Sequence, residues 1–329
     1  MSGIIVVSAL GGLAGLHAAT WGARKDGPFE GFRLHRFLRS VWLGGVIATA
    51  LWLFWGRQGA PWDWVLLVGA SYALERLATE WWKAIVREND QSAYAIPMRL
   101  ACRGKTVDGR LARHTLGAAI VGALGACCWV AVWLEHRVGP LPTAAVVAIG
   151  GAGGWLTALG GAWKDAPIEG FEPLKFWRSP VVASLWAAPL SALTHHWTVL
   201  AVSAAGYAVA TVETHKTFFS GGRPPGKFAG KPATSRPVGP RMSLGGLHAA
   251  LWLVLGIAIA HQLTVHRADG SWRGAMVAPM VACLLLAVGV AAVNARSGVS
   301  ARARPAAHAS SRRRISSNVR MAAHLDLHL

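Results

Sequence analysis

TWGARKDGPFEGFRLHRFLRS, residues 20–40, returns as ALGGAWKDAPIEGFEPLKFWRS at residues 158–179. Laid over one another without a gap, 25–40 and 164–179 are identical at nine of sixteen positions. The shared residues are Lys25/Lys164, Asp26/Asp165, Pro28/Pro167, Glu30/Glu169, Gly31/Gly170, Phe32/Phe171, Phe37/Phe176, Arg39/Arg178 and Ser40/Ser179, and Arg36/Lys175 keeps its charge. The echo continues backward through Gly11/Gly150, Gly12/Gly151, Gly15/Gly154 and Gly22/Gly161. Forward, at a shorter offset, TEWWK at 79–83 parallels VETHK at 212–216, which pairs Glu80 with Glu213 and Lys83 with Lys216.

The charged phrase is set in an apolar chain. Of 329 residues, 53% are hydrophobic and only 15% are charged, whereas about a quarter of a soluble domain is charged. Seventeen tryptophans and 38 glycines agree with this, since both are frequent in membrane-spanning helices or at their ends. The composition predicts an all-α polytopic membrane protein and excludes a water-soluble enzyme. Apolar stretches of crossing length fall at about 3–23, 41–56, 62–85, 114–134, 141–163, 180–196, 197–219, 243–264 and 274–294, about nine spans. The first lacks a basic leader and reads as a retained span rather than a signal peptide.

The formal charge of +18 follows the same plan. With the N-terminus outside and the C-terminus cytoplasmic, the inner loops and tail hold 28 of the 33 Lys and Arg residues and the outer loops hold four. That is the positive-inside pattern, and it calls for no nucleic-acid partner. The four cysteines have no metal-ligand spacing. The domain reading is a first four-span unit at 1–139, a second at 140–265, a ninth span at 266–295 and a basic, disorder-like tail at 296–329. Four spans per unit leave both copies the same way up, so a pseudo-twofold axis along the membrane normal is expected.

Proline and glycine within K-D-x-P-x-E-G-F predict a break in the helix there, followed by a short amphipathic helix at 33–40 and again at 172–179. Such an elbow on the inner face places Arg36, Arg39, Lys175 and Arg178 at anionic lipid headgroups. Two uses of the elbows are open. Asp26 and Glu30 can cap helices and pair with neighbouring arginines, or Asp26, Glu30, Asp165 and Glu169 can hold a divalent cation such as Mg²⁺. Lys25, Lys164, Lys83, Lys216, Arg39 and Arg178 would then bind phosphate.

GLHAATW at 15–21 resembles GLHAALW at 246–252, which sets His17 and His248 at similar depth in two different spans. Both are candidate acid–base groups, with satisfied packing histidines as the plainer reading. Glu75, Glu80 and Glu213 lie in or at the edge of spans, where an ionisable group is costly and points to function unless it is paired. No phosphate loop, dinucleotide fingerprint, HExxH or GxSxG motif is present.

Three functions remain. The first is an enzyme that transfers or hydrolyses a phosphate-bearing group on a lipid or isoprenoid at the inner leaflet, with His17, His248, Glu80 and Glu213 in catalytic roles. The second is an ion- or proton-coupled transporter of two parallel repeats. The third is a non-catalytic subunit of a membrane complex. Anionic lipids are expected partners in each, and the basic tail suits contact with a protein or with the membrane surface.

Overall fold

The computed structural model describes residues 2–56, 63–139, 141–219, 224–233 and 240–265. Its helices are α1 (Ser2–Glu30), α2 (Leu34–Gly56), α3 (Trp64–Trp81), α4 (Arg110–Val138), α5 (Thr143–Gly150), α6 (Ala152–Glu169), α7 (Pro173–Leu190), α8 (Trp197–Phe218) and α9 (Pro240–Val265). A π-helical turn, Trp82–Val86, extends α3, and β1 (Ala101–Cys102) pairs with β2 (Lys105–Thr106) in a small hairpin. The expected ninth span at 274–294 and the tail at 296–329 lie outside the described residues. Among the described residues, five stretches are long and apolar enough to cross a membrane: α1, α2, α4, α5 with α6, and α9. The chain is an all-α, multi-pass membrane protein.

The helices break inside the predicted motif, at its last glycine rather than at its proline. α1 runs through Gly27 and Pro28 to Glu30, and α6 runs through Pro167 to Glu169. Each proline sits in the last turn, where the one bond its missing N–H forgoes, to the carbonyl four residues back, is among the last the helix could make. The break comes at Gly31 and Gly170, whose φ values of +73° and +87° suit a residue without Cβ. The predicted amphipathic helices are also not separate pieces, because 34–40 opens α2 and 173–179 opens α7. Pro173 takes the first-turn position that its fixed φ favours.

Each elbow folds two helices into close contact by the same means. A Cβ at Gly15 would strike the Ser40 carbonyl and one at Gly11 would strike Ala48; a Cβ at Gly154 would strike the Ser179 carbonyl and one at Gly150 would strike Ala187. Small residues of this kind let apolar helices approach to backbone contact, where dispersion replaces the missing hydrophobic drive. Between the pairs, α3 and α8 cross at Gly69 and Gly206. The crossing is tied by Ser203 Oγ to Leu66 O at 2.8 Å and by Tyr207 OH to Val65 O at 2.7 Å. The main core of buried residues gathers around this crossing from α1, α3, α7, α8 and α9. By contrast α4 buries only Arg113 and Gly117 and presents Leu111, Trp129 and Val138 outward.

Candidate functional site at the elbow end of the bundle

Both elbows and both long connectors lie at one end of the bundle. Ala95 N donates to Lys227 O at 2.7 Å, so the connector after α3 and the connector after α8 are joined directly. From the first elbow, Asp26 takes a 2.7 Å ion pair from Lys227, and Phe29 stacks on Phe228 at 4.4 Å. From the second, the Glu169 carboxylate lies against the backbone of Gly226. Three consecutive connector residues are thus held by both elbows. Tyr94 OH donates to Glu30 at 3.2 Å, and Trp163 Nε1 donates to Ala101 O at 3.0 Å.

The lysines of the elbows reach across to the other half of the chain. Lys25 pairs with Glu213 of α8 at 2.5 Å and lies over the Trp21 ring, and Lys216 holds the second Glu213 oxygen at 2.9 Å. Lys83 pairs with Glu80 at 2.7 Å, and Lys164 also acts on the Glu80 carboxylate electrostatically while its Nζ lies 3.7 Å from Met98 Sδ. Buried connector groups feel these partners. Burial alone would lower the Lys227 ammonium, but Asp26, then Glu30 and Glu80, hold it above the ordinary lysine value. Burial and then the Glu30 carboxylate push the Tyr94 phenol up.

The four carboxylates predicted as metal ligands are engaged separately. Asp26 meets Lys227, Glu30 meets Arg36 at 3.3 Å, and Asp165 and Glu169 share Lys175 at 3.2 Å and 2.8 Å. Among the described residues no three His, Cys, Asp or Glu side chains are grouped to hold a metal ion. Arg39 lies over Trp82 at 5.2 Å, and its Nε is buried without a partner. Arg178 Nε is likewise buried and unpartnered.

The two histidines do meet. Their ring centroids are 4.2 Å apart, inside a buried polar array that the sequence reading did not foresee. His17 Nδ1 lies 3.2 Å from Tyr72 OH, which also accepts from Trp21 Nε1 at 2.7 Å. His248 sits between two hydroxyls, with Nδ1 2.8 Å from Thr20 Oγ1 and Nε2 2.9 Å from Thr214 Oγ1. Trp252 Nε1 donates to that same Thr214 oxygen at 2.9 Å. His17 Nε2 is buried and has no partner. The scarcity of tyrosine was the available signal: the chain has three, and all three hydroxyls are hydrogen-bonded here or at the helix crossing.

Beside this end, α6, α7 and α8 enclose a cavity of about 160 Å³. Its walls are small and apolar at Ala158, Ala162, Ala208, Val209 and Val212, and carry three carboxylates, Asp165, Glu172 and Glu213, and three cations, Lys175, Arg178 and Lys216. Of the residues singled out from sequence, it therefore gathers Asp165, Lys175, Arg178, Glu213 and Lys216. His17, His248 and Glu80 do not line it. No known protein family, no curated protein and no solved structure matches the chain.

Proposed function

We propose that this protein binds a phosphate-bearing lipid or isoprenoid at the inner leaflet and transfers or hydrolyses its phosphate-bearing group. The observation that carries the reading is the amphipathic cavity between α6, α7 and α8. Its cations sit at the elbow end, where α7 begins and α8 ends, and its small apolar walls continue along the helices. In the proposed topology that end lies at headgroup depth on the cytoplasmic side, with nine spans and the N-terminus outside. Lys175, Arg178 and Lys216 would neutralise the phosphate, which is the main requirement of phosphoryl chemistry. Asp165, whose side chain is 28% exposed beside Lys175, and the exposed Glu172 on the same wall are the accessible carboxylates for moving a proton.

The duplication belongs to the same proposal. It is supported by the recurrence at one offset of Gly15 on Ser40 and Gly154 on Ser179, and of Gly11 on Ala48 and Gly150 on Ala187. A crossing of the third helix of each unit, α3 with α8, is what a twofold axis along the membrane normal requires.

The test is turnover by the full chain in nanodiscs, supplied with a short-chain phosphatidic acid or an isoprenyl diphosphate, with and without Mg²⁺. Phosphate release or transfer is expected, falling at least tenfold in Lys216→Met. Failure to turn over either substrate class under both conditions counts against the reading. A second reading, a proton-coupled transporter, is favoured by the buried His17–Tyr72–His248 array. It predicts a proton flux in proteoliposomes that His17→Gln abolishes.

A further inference from the structure

The cavity lies in the second unit, and two residues set it apart from the corresponding place in the first. With α8 laid over α3 at the offset that pairs Glu213 with Glu80, Ala208 and Val209 take the places of Glu75 and Arg76. In the first unit those places are full. The Glu75 side chain is wholly buried, and its carboxylate receives Arg76 Nε at 2.6 Å, a second Arg76 nitrogen at 2.8 Å and Thr79 Oγ1 at 3.0 Å. Ser40 adds a further hydrogen bond, and the Arg39 guanidinium is near enough to be acted on by the charge. In the second unit Ala208 and Val209 are cavity wall, and so are Arg178 and Ser179, the counterparts of Arg39 and Ser40.

We infer that the cavity is an oxyanion site whose occupant's headgroup takes the position that the Glu75 carboxylate fills in the first unit. The first unit carries its anion and counter-cation in its own chain, and the second unit takes the anion from outside. Arg178 is the cation placed to meet it: like Arg39 in the first unit it has a buried Nε with no partner and forms no ion pair among the described residues, and unlike Arg39 it lines a cavity. An arginine fork suits a phosphate or carboxylate bidentately, and Lys216 on the same wall adds charge. The apolar remainder of the wall selects a headgroup carried on a hydrocarbon tail rather than a free ion. This assignment rests on the duplicated architecture and the phosphate-lipid reading above, and it narrows both to one unit.

The experiment is equilibrium binding of dioctanoyl phosphatidic acid to the full chain in phosphatidylcholine nanodiscs, with thermal unfolding checked for every variant. One site per chain is expected. Ala208→Glu with Val209→Arg, which copies the first unit's own plug, should weaken binding at least tenfold. Arg178→Gln should do the same, and Arg178→Lys should recover part of it. Glu75→Ala with Arg76→Val should raise the stoichiometry from one to two. Wild-type affinity in both the plug variant and Arg178→Gln would overturn the site while leaving the phosphate-lipid function standing. No binding by the wild type overturns both. Displacement of the lipid by inorganic phosphate at equal concentration overturns the lipid as the source of the anion.

Discussion

His248 shows how a buried residue is determined by what surrounds it. Trp252 Nε1 and His248 Nε2 both converge on Thr214 Oγ1, which also bonds the Ala210 carbonyl one turn back. A hydroxyl can serve all three because it both accepts and donates. Replacing Thr214 with Val keeps the shape and removes that oxygen, which orphans the indole N–H and one imidazole nitrogen. Each orphaned buried group costs about 1–3 kcal/mol, so Thr214→Val should lower stability by about 2–6 kcal/mol, read as a fall in the thermal midpoint. Val212→Thr, two positions away on the cavity wall, should change it little. The similar depth of the two histidines was legible in the repeated GLHAA phrase, and their contact was not. The threonines and tyrosine around it were not, because nothing in their local sequence separates a network member from an ordinary helix residue.

At the scale of the element, the elbow is a helix end imposed by one glycine rather than a loop made by a cluster of breakers. Local rules placed the break among Gly27, Pro28 and Gly31 and among Pro167 and Gly170, and both helices pass the proline to end at the last glycine. A proline penalty falls on the turn before it, and here it costs one bond at a helix end. The contact beneath the elbow is less tolerant. A Cβ at Gly154 would overlap the Ser179 carbonyl, the Ala183 side chain and the Pro180 backbone at once. Gly154→Leu should therefore force α6 from α7 and destabilise by more than about 3 kcal/mol, at the upper end of single substitutions. Because Ser179 is also cavity wall, lipid binding should fall with stability. The corresponding Gly15→Leu should destabilise without touching the cavity, since Ser40 borders the filled site.

Over the whole molecule, the elbow end is closed by long-range charge. Lys227, 201 residues from Asp26 in the chain, docks the second connector on the first elbow. Its ammonium is held above the ordinary lysine value of 10.5. A raised value means that the pairing contributes fully below about pH 10.5 and is lost as pH climbs through the folded-state value. Limited proteolysis at 224–233 should accordingly stay slow from neutral pH to about pH 10.5 and accelerate above it, while Lys227→Met should be cut quickly throughout. The sequence by itself determined the membrane class, the apolar helices and the repeated elbow, because hydropathy and period depend on near neighbours along the chain. It also brought forward Lys25, Glu213, Lys216 and Arg178 as charges in an apolar setting. Only the tertiary structure decided that Lys25 pairs with Glu213 and that Asp26 pairs with Lys227. It also decided that Glu75 and Arg76 form a buried pair while Ala208 and Val209 wall a cavity. An ion pair or a cavity depends on which helices face each other, and that is settled when glycines such as Gly69 and Gly206 let distant helices touch.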